Sequence, residues 1–289
     1  MPEPVLGVIG GSGLYQMEGL TNVEVVEMHT PFGTPSSPIT VGTLNGVDVA
    51  FLARHGSGHT LLPSEVPYKA NICALKLLGV KRVVSVSAVG SLREDYAPLD
   101  VVIPDQLFDR TKGRASTFFG EGLVAHVAFA QPFCPAMSQI AFESASESGA
   151  KTHRGGTLVV MEGPAFSTVA ESEFHRRQEF SIVGMTALPE AKLAREAELC
   201  YCTVAMVTDY DVWHQSHASV TQEIVAGNVK QNTVIAHKII RSLAGRLNPV
   251  ETCECGSALA SALVTPFQLV PGQTLARLEP IIGRYKPRA

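Results

Sequence analysis

No apolar run in the 289-residue sequence reaches the roughly 18–20 residues needed to cross a bilayer, which excludes a transmembrane helix. No block of lysine and arginine occurs, and the formal net charge is only −4, so nothing focuses a field for nucleic acid. Met1-Pro2-Glu3-Pro4 offers no basic cluster ahead of an apolar segment, so no secretory signal is expected, and the cytoplasm is the expected compartment. Neither a G-x-x-x-x-G-K-[ST] loop nor a G-x-G-x-x-G turn is present, which removes two common phosphate-loop fingerprints. There are six cysteines: Cys73, Cys134, Cys200, Cys202, Cys253 and Cys255. The one-residue gaps in Cys200-x-Cys202 and Cys253-x-Cys255 are tighter than the usual zinc spacing, so no metal is expected. Free buried thiols and a disulfide between those two pairs both stay open.

What is present fits a globular protein. Hydrophobic residues make up 45% and charged residues 17% of the chain, enough to bury a sizeable core without staples. Val- and Ile-rich runs with weak alternation, as in strands buried on both faces, fall at 5–9, 47–53, 82–87, 101–104, 157–161, 181–185 and 201–207. Between them lie helical patterns. One starts at Ser64-Glu65-Val66-Pro67, repeats through Ala70, Cys73, Ala74, Leu77 and Leu78, and closes at Gly79. Others cover 189–199 and 220–247. The alternation predicts an α/β fold: a central mixed β-sheet flanked by helices, in one domain over 1–289. Residues 250–289 lose periodicity and are expected to pack on that domain as a C-terminal extension.

Ligands of open α/β sheets bind beyond the carboxyl ends of strands, so the residues there carry the functional signal. The first strand runs into Gly10-Gly11-Ser12-Gly13, with small residues and a hydroxyl suited to an anion. The strand over 47–53 runs into Arg54-His55-Gly56, where the Arg54 fork matches a phosphate and His55 adds a donor. Ser87 with the Ala88 amide follows the third, and Thr186 precedes a proline-started helix whose N-terminus favours anions. Each is weak alone. Four strand ends offering phosphate-type donors make the case together.

The last strand ends differently, in Thr208-Asp209-Tyr210-Asp211. Carboxylates there would repel a phosphate. They suit a partner that offers N–H groups or needs a proton, and a purine with an exocyclic amine does both.

The segments Gly10-Gly11-Ser12-Gly13-Leu14, Thr30-Pro31-Phe32-Gly33, Leu52-Ala53-Arg54-His55-Gly56, Glu162-Gly163-Pro164, Met185-Thr186, Pro189-Glu190 and Thr208-Asp209-Tyr210-Asp211 occur in that order. In this the chain resembles the methylthioadenosine phosphorylases of the trimeric purine nucleoside phosphorylase family, from about residue 5 to residue 243. The resemblance implies that Ser12, Arg54, His55, Ser87, Ala88 and Thr186 hold phosphate. It sets Met185 against the ribose, Phe166 over the purine, and Asp209, Tyr210 and Asp211 at the base, with Asp209 as the general acid. His126 and Val225 would border the 5′-substituent, and Ser167 and Gln222 would govern substrate choice. Three positions depart from the family pattern: Gln222 is polar where methylthio-specific relatives are apolar, Ala165 replaces an arginine of animal enzymes, and Gly184 replaces an asparagine.

The expected reaction is reversible phosphorolysis of methylthioadenosine to adenine and 5-methylthioribose 1-phosphate. The alternative is broader action on adenosine, inosine or methylthioinosine. Phosphate is the co-substrate, and no metal or organic cofactor is implied. The family implies a homotrimer or a dimer of trimers, with His126 lent across the interface. Relatives from hot environments carry a similar C-terminal Cys-x-Cys and disulfides.

Overall fold

Among the described residues the chain forms one mixed sheet of eleven strands with helices on both faces. The computed structural model describes residues 4–11, 13–14, 16–214, 222–248 and 253–287, without the side chains of 222–226. In chain order the elements are β1 (Leu6–Gly10), β2 (Thr21–Val26), β3 (Ile39–Leu44), β4 (Val47–Ala53), α1 (Tyr68–Leu77), β5 (Arg82–Ser91), β6 (Val101–Ile103) and β7 (Gln106–Arg110). There follow α2 (Pro135–Ser146), β8 (Thr152–Arg154), β9 (Thr157–Met161), α3 (Val169–Arg177), β10 (Ile182–Gly184), α4 (Ala187–Glu196), β11 (Cys200–Asp209) and α5 (Gln222–Arg246). Two short helices, α6 (Gly272–Arg277) and α7 (Glu279–Ile282), lie in the C-terminal extension.

The long strands are apolar on both sides because both sides are covered. Along β11, Tyr201, Ala205 and Val207 join the core under α1 and α4, while Cys202, Val204 and Met206 join the core under α2 and α5. This is why strict alternation is missing from the sequence. The extension shares the first of these cores through Leu259, Leu278, Ile281 and Ile282. Helix α1 ends where expected, since Gly79 takes φ +90°, which a Cβ would disfavour.

One irregularity of the sheet positions the site. β11 runs along one edge of β5 from Arg82 to Gly90, so β1 and β10 must share the other edge. β1 reaches only to Ser85, and β10 begins at Gly90. Among the described residues, Val86–Val89 therefore have no strand beside them on that edge. The sheet splits there, and the carboxyl ends of β1, β4 and β10 surround the gap.

Candidate active site

A cavity of about 470 Å³ fills the split. Arg54, at the end of β4, reaches across one end and is only 2% exposed. Its Nε and Nη2 donate to both oxygens of Glu190 at 2.9 and 3.1 Å. Nη2 also donates to Ser85 Oγ at 2.6 Å, and Nη1 donates to the Val86 carbonyl, exposed by the split, at 3.2 Å. One Nη1 hydrogen is left over from the five that a guanidinium carries. Burial opposes the charge of Arg54, but the Glu190 carboxylate more than offsets it and the pKa is raised. Glu190 takes a further bond from Tyr201 Oη at 2.8 Å. Beside them the hydroxyls of Ser87 and Thr186 approach to 3.4 Å.

His55 corrects a detail of the sequence reading. Its Nδ1 faces the Leu61 carbonyl at 2.9 Å, so that nitrogen carries the hydrogen. Burial, and then the Arg54 charge, push the imidazole down to about 4, leaving it neutral. Nε2 therefore presents a lone pair, and His55 donates through it only after taking up a proton. Thr186 also differs from expectation. Leu188, forced extended ahead of Pro189 at φ −119° and ψ 135°, interrupts α4, so the regular helix begins beyond it.

At the other end β11 carries its carboxylates. Asp209 Oδ1 accepts the Asp211 amide at 2.8 Å, and Oδ2 lies 2.7 Å from Thr208 Oγ1. That hydroxyl is also 3.2 Å from the Val89 carbonyl and has one hydrogen for two acceptors. A protonated Asp209 resolves the conflict: it donates to Thr208, which then donates to Val89. Burial raises the Asp209 pKa in agreement with this, and the Asp211 charge adds to the rise. Asp211 is raised by burial too, and its Oδ2 has no hydrogen-bond partner. The close approach of both side chains requires Gly90, where a Cβ would sit 3.0 Å from Asp209 Oδ1 and 3.4 Å from the Asp211 Cβ. Next to them the single tryptophan, Trp213, donates its indole N–H to the Ser91 carbonyl at 2.8 Å. The Arg176 guanidinium lies 3.5 Å over its ring.

Arg54, His55, Ser87, Ala88, Phe166, Ser167, Met185, Thr186, Asp209 and Asp211 all line this one cavity. Tyr210 turns aside and packs on Trp213 and His214. His126 is exposed and away from the cavity lining, with its backbone tied to the Ala262 carbonyl. Ser12 lies outside the described residues. Gln222 and Val225 fall at the start of α5, where only the backbone is described.

Sequence reasoning missed the supports of the site. Glu190 stood in a quoted motif, but nothing local marks it as the Arg54 partner 136 positions away. Arg114 donates to the Met185 and Leu188 carbonyls at 2.7 and 2.9 Å, fixing the wall that holds Thr186. Asn228 and Asn232 on α5 donate to the Thr208 and Val207 carbonyls and hold the end of β11. A polar residue facing inward from an amphipathic helix is the only signal that Glu190 and the two asparagines give, and Arg114, between β7 and α2, gives none.

Comparison with known proteins shows the family. A model of the phosphorylase superfamily matches residues 5–244. S-methyl-5′-thioadenosine phosphorylase of Chloroflexus aurantiacus is 57% identical over 286 residues, covering 99% of both chains. That of Geobacter sulfurreducens is 53% identical over 284 residues, covering 98% of this chain and 99% of its own. The crystal structure of a methylthioadenosine phosphorylase from an antarctic soil metagenomic library superposes with a TM-score of 0.92 at 48% identity, covering 96% of this chain and 98% of the other. The S12T mutant of the Schistosoma mansoni adenosine/methylthioadenosine phosphorylase, in complex with methylthioadenosine, gives a TM-score of 0.82 at 35% identity, covering 89% and 96%.

Proposed function

Because this chain belongs to the methylthioadenosine phosphorylases of the phosphorylase superfamily, we propose that it catalyses reversible phosphorolysis of S-methyl-5′-thioadenosine. The products are adenine and 5-methylthioribose 1-phosphate. One observation carries the reading: a single cavity pairs a fixed guanidinium and two hydroxyls at one end with two carboxyls of raised pKa at the other.

Phosphate sits against the spare Arg54 N–H, the Ser87 and Thr186 hydroxyls and the Ala88 amide, with Ser12 closing the same end. His55 joins once protonated, or accepts from a phosphate hydroxyl. Met185 lies against the ribose and Phe166 over the base, while Ser167 borders it. The C1′–N9 bond loosens first and its electron pair passes to the purine. Asp209 delivers its proton to N7, and Asp211 accepts from the 6-amino group. A phosphate oxygen then captures the cationic C1′, which the anion has stabilised from below. The chemistry uses no metal and no organic cofactor.

The assembly we propose is a homotrimer, itself able to pair as a dimer of trimers, acting in the cytoplasm. Its support is the position of His126. That residue is exposed two positions from Val124, whose carbonyl accepts from the Val264 amide, and these valines are 44% and 60% exposed, apolar surface suited to a neighbouring subunit. In the trimer His126 would reach the 5′-group in the adjoining site, which Val225 and Gln222 border from its own subunit.

The test is adenine release from methylthioadenosine with and without phosphate, alongside methylthioinosine, inosine and adenosine. Release that requires phosphate and favours methylthioadenosine is expected. Release that proceeds equally in its absence would make the protein a hydrolase.

A further inference from the structure

Four cysteine sulfurs converge at the end of β11 opposite Asp209, about 30 Å away along the strand. Cys134 caps the start of α2, Cys200 begins β11, and Cys253 and Cys255 belong to a 3-10 turn over Glu254–Ser257 in the C-terminal extension. Their Sγ atoms all lie within 4.8 Å of one another, and those of Cys134 and Cys253 approach to 3.6 Å.

Four points that close share a centre no more than about 2.9 Å from each, and zinc–thiolate bonds are about 2.3 Å long. Each sulfur needs to move by about 0.6 Å or less to reach bonding distance. Burial alone does not gather the sulfurs, because Cys73 and Cys202 are fully buried yet stand outside the set. No carboxylate or imidazole joins it among the described residues, and all-thiolate donors select zinc over magnesium or calcium. The N-terminus of the 12-residue α2, at Cys134, favours a thiolate. Three ligands are buried and Cys253 is half-buried, so an ion would be enclosed yet have a way in.

We propose that Cys134, Cys200, Cys253 and Cys255 form a closed tetrathiolate zinc site that clamps the C-terminal extension to the start of β11. Binding one Zn²⁺ displaces four thiol protons to solvent and involves no redox change. With four protein ligands no position is left for substrate, so the site is structural. The Cys-x-Cys spacing does not fit the sequence rule because the tight turn at Cys253 aims both sulfurs at one point, and the other two ligands come from distant segments.

Metal analysis of the full chain, purified with reductant and without chelator, tests the site. About one zinc per chain is expected, and the cobalt-substituted protein should show the intense visible absorption of a tetrahedral tetrathiolate. C253S and C255S, at the margin of the core, should bind close to none and melt earlier, while phosphate-dependent adenine release is unchanged. C202S should retain the metal. A reduced protein that takes up neither zinc nor cobalt would overturn the proposal. An intact mass showing disulfides within the set, in protein purified under a thiol-blocking agent, would also overturn it. Neither readout depends on the nucleoside assay, so this inference and the proposed function can fail separately.

Discussion

The two ends of the cavity are prepared in opposite ways. Arg54 is buried with almost every donor engaged, and its charge is cancelled by Glu190 before any ligand arrives. Asp209 has a partner for each oxygen and Asp211 Oδ2 is buried without one among the described residues, and burial pushes both carboxyls toward their neutral forms. His55 is neutral as well, so the phosphate end carries no net formal charge. It offers fixed dipoles where the proposed reaction places an anion, which is the low-reorganisation arrangement that favours catalysis. The purine end instead keeps two carboxyls that burial holds toward their protonated forms. One end is rigid and complete, and the other is completed by its substrate.

The sharpest way to break this contrast is Asp209→Ala. Loss of the proton donor should lower kcat/KM for methylthioadenosine by on the order of 10²-fold or more, with phosphate saturation unchanged. The parent should lose rate as pH rises through the elevated Asp209 pKa, and Asp209→Asn should remove that fall. A variant with parental turnover would end the assignment.

Glu190→Gln attacks the rigid end. It leaves the buried Arg54 without its counter-charge and should destabilise the fold by about 3 kcal/mol in urea titrations. The KM for phosphate should rise while adenine affinity holds. If only adenine affinity suffered, the two ends would have been assigned the wrong way round.

Asp211→Asn should have a smaller effect of opposite sign on stability. The folded pKa of Asp211 is raised, so the stability linked to its protonation is complete below the ordinary 3.8 and is lost as pH climbs through the raised value. Asparagine cannot ionise and tolerates the φ of +52° at this position. The variant should melt a few degrees higher than the parent near neutral pH and level with it in acid, while losing turnover. An unaltered melting profile would show that the carboxyl is not under strain.

The weakest effect belongs to His55. Its pKa is depressed from 6.5 to about 4, so the stability linked to its neutral form is lost as pH falls through that window. His55→Gln should flatten the acid side of the stability curve between those values, as read by thermal melts in a pH series.

The sequence made some of this legible and hid the rest for definite reasons. The strands over 47–53 and 157–161 match β4 and β9, because turn residues bound runs that burial makes uniformly apolar. β5 and β11 extend further than their apolar runs suggest, to Ser91 and Asp209, because small and acidic residues can end a strand that lines a cavity. The helix read over 189–199 ends three residues earlier, at Glu196, and its regular part starts beyond Leu188, where it was expected. Exposed β2, short β8 and the moderately polar α3 had no periodic signal. In the site, the residues that face the cavity announced themselves by type and place after a strand. Those that hold them, Glu190, Arg114 and the two asparagines of α5, act over long sequence distances, and pairing at that range leaves no local mark. The sulfur cluster was hidden in the same way, since its partners lie on three separate segments.

Trp213 gives the purine end an optical property that the phosphate end lacks. It is the sole indole of the chain, two residues beyond Asp211 and pressed against a guanidinium. Its emission therefore reports on one neighbourhood without background from a second fluorophore of its kind. Adenine docking beside Asp209 and Asp211 would shift or quench that emission, whereas phosphate alone at Arg54 would leave it largely as it was. Stopped-flow fluorescence on the unmodified protein could then time the arrival of each ligand separately.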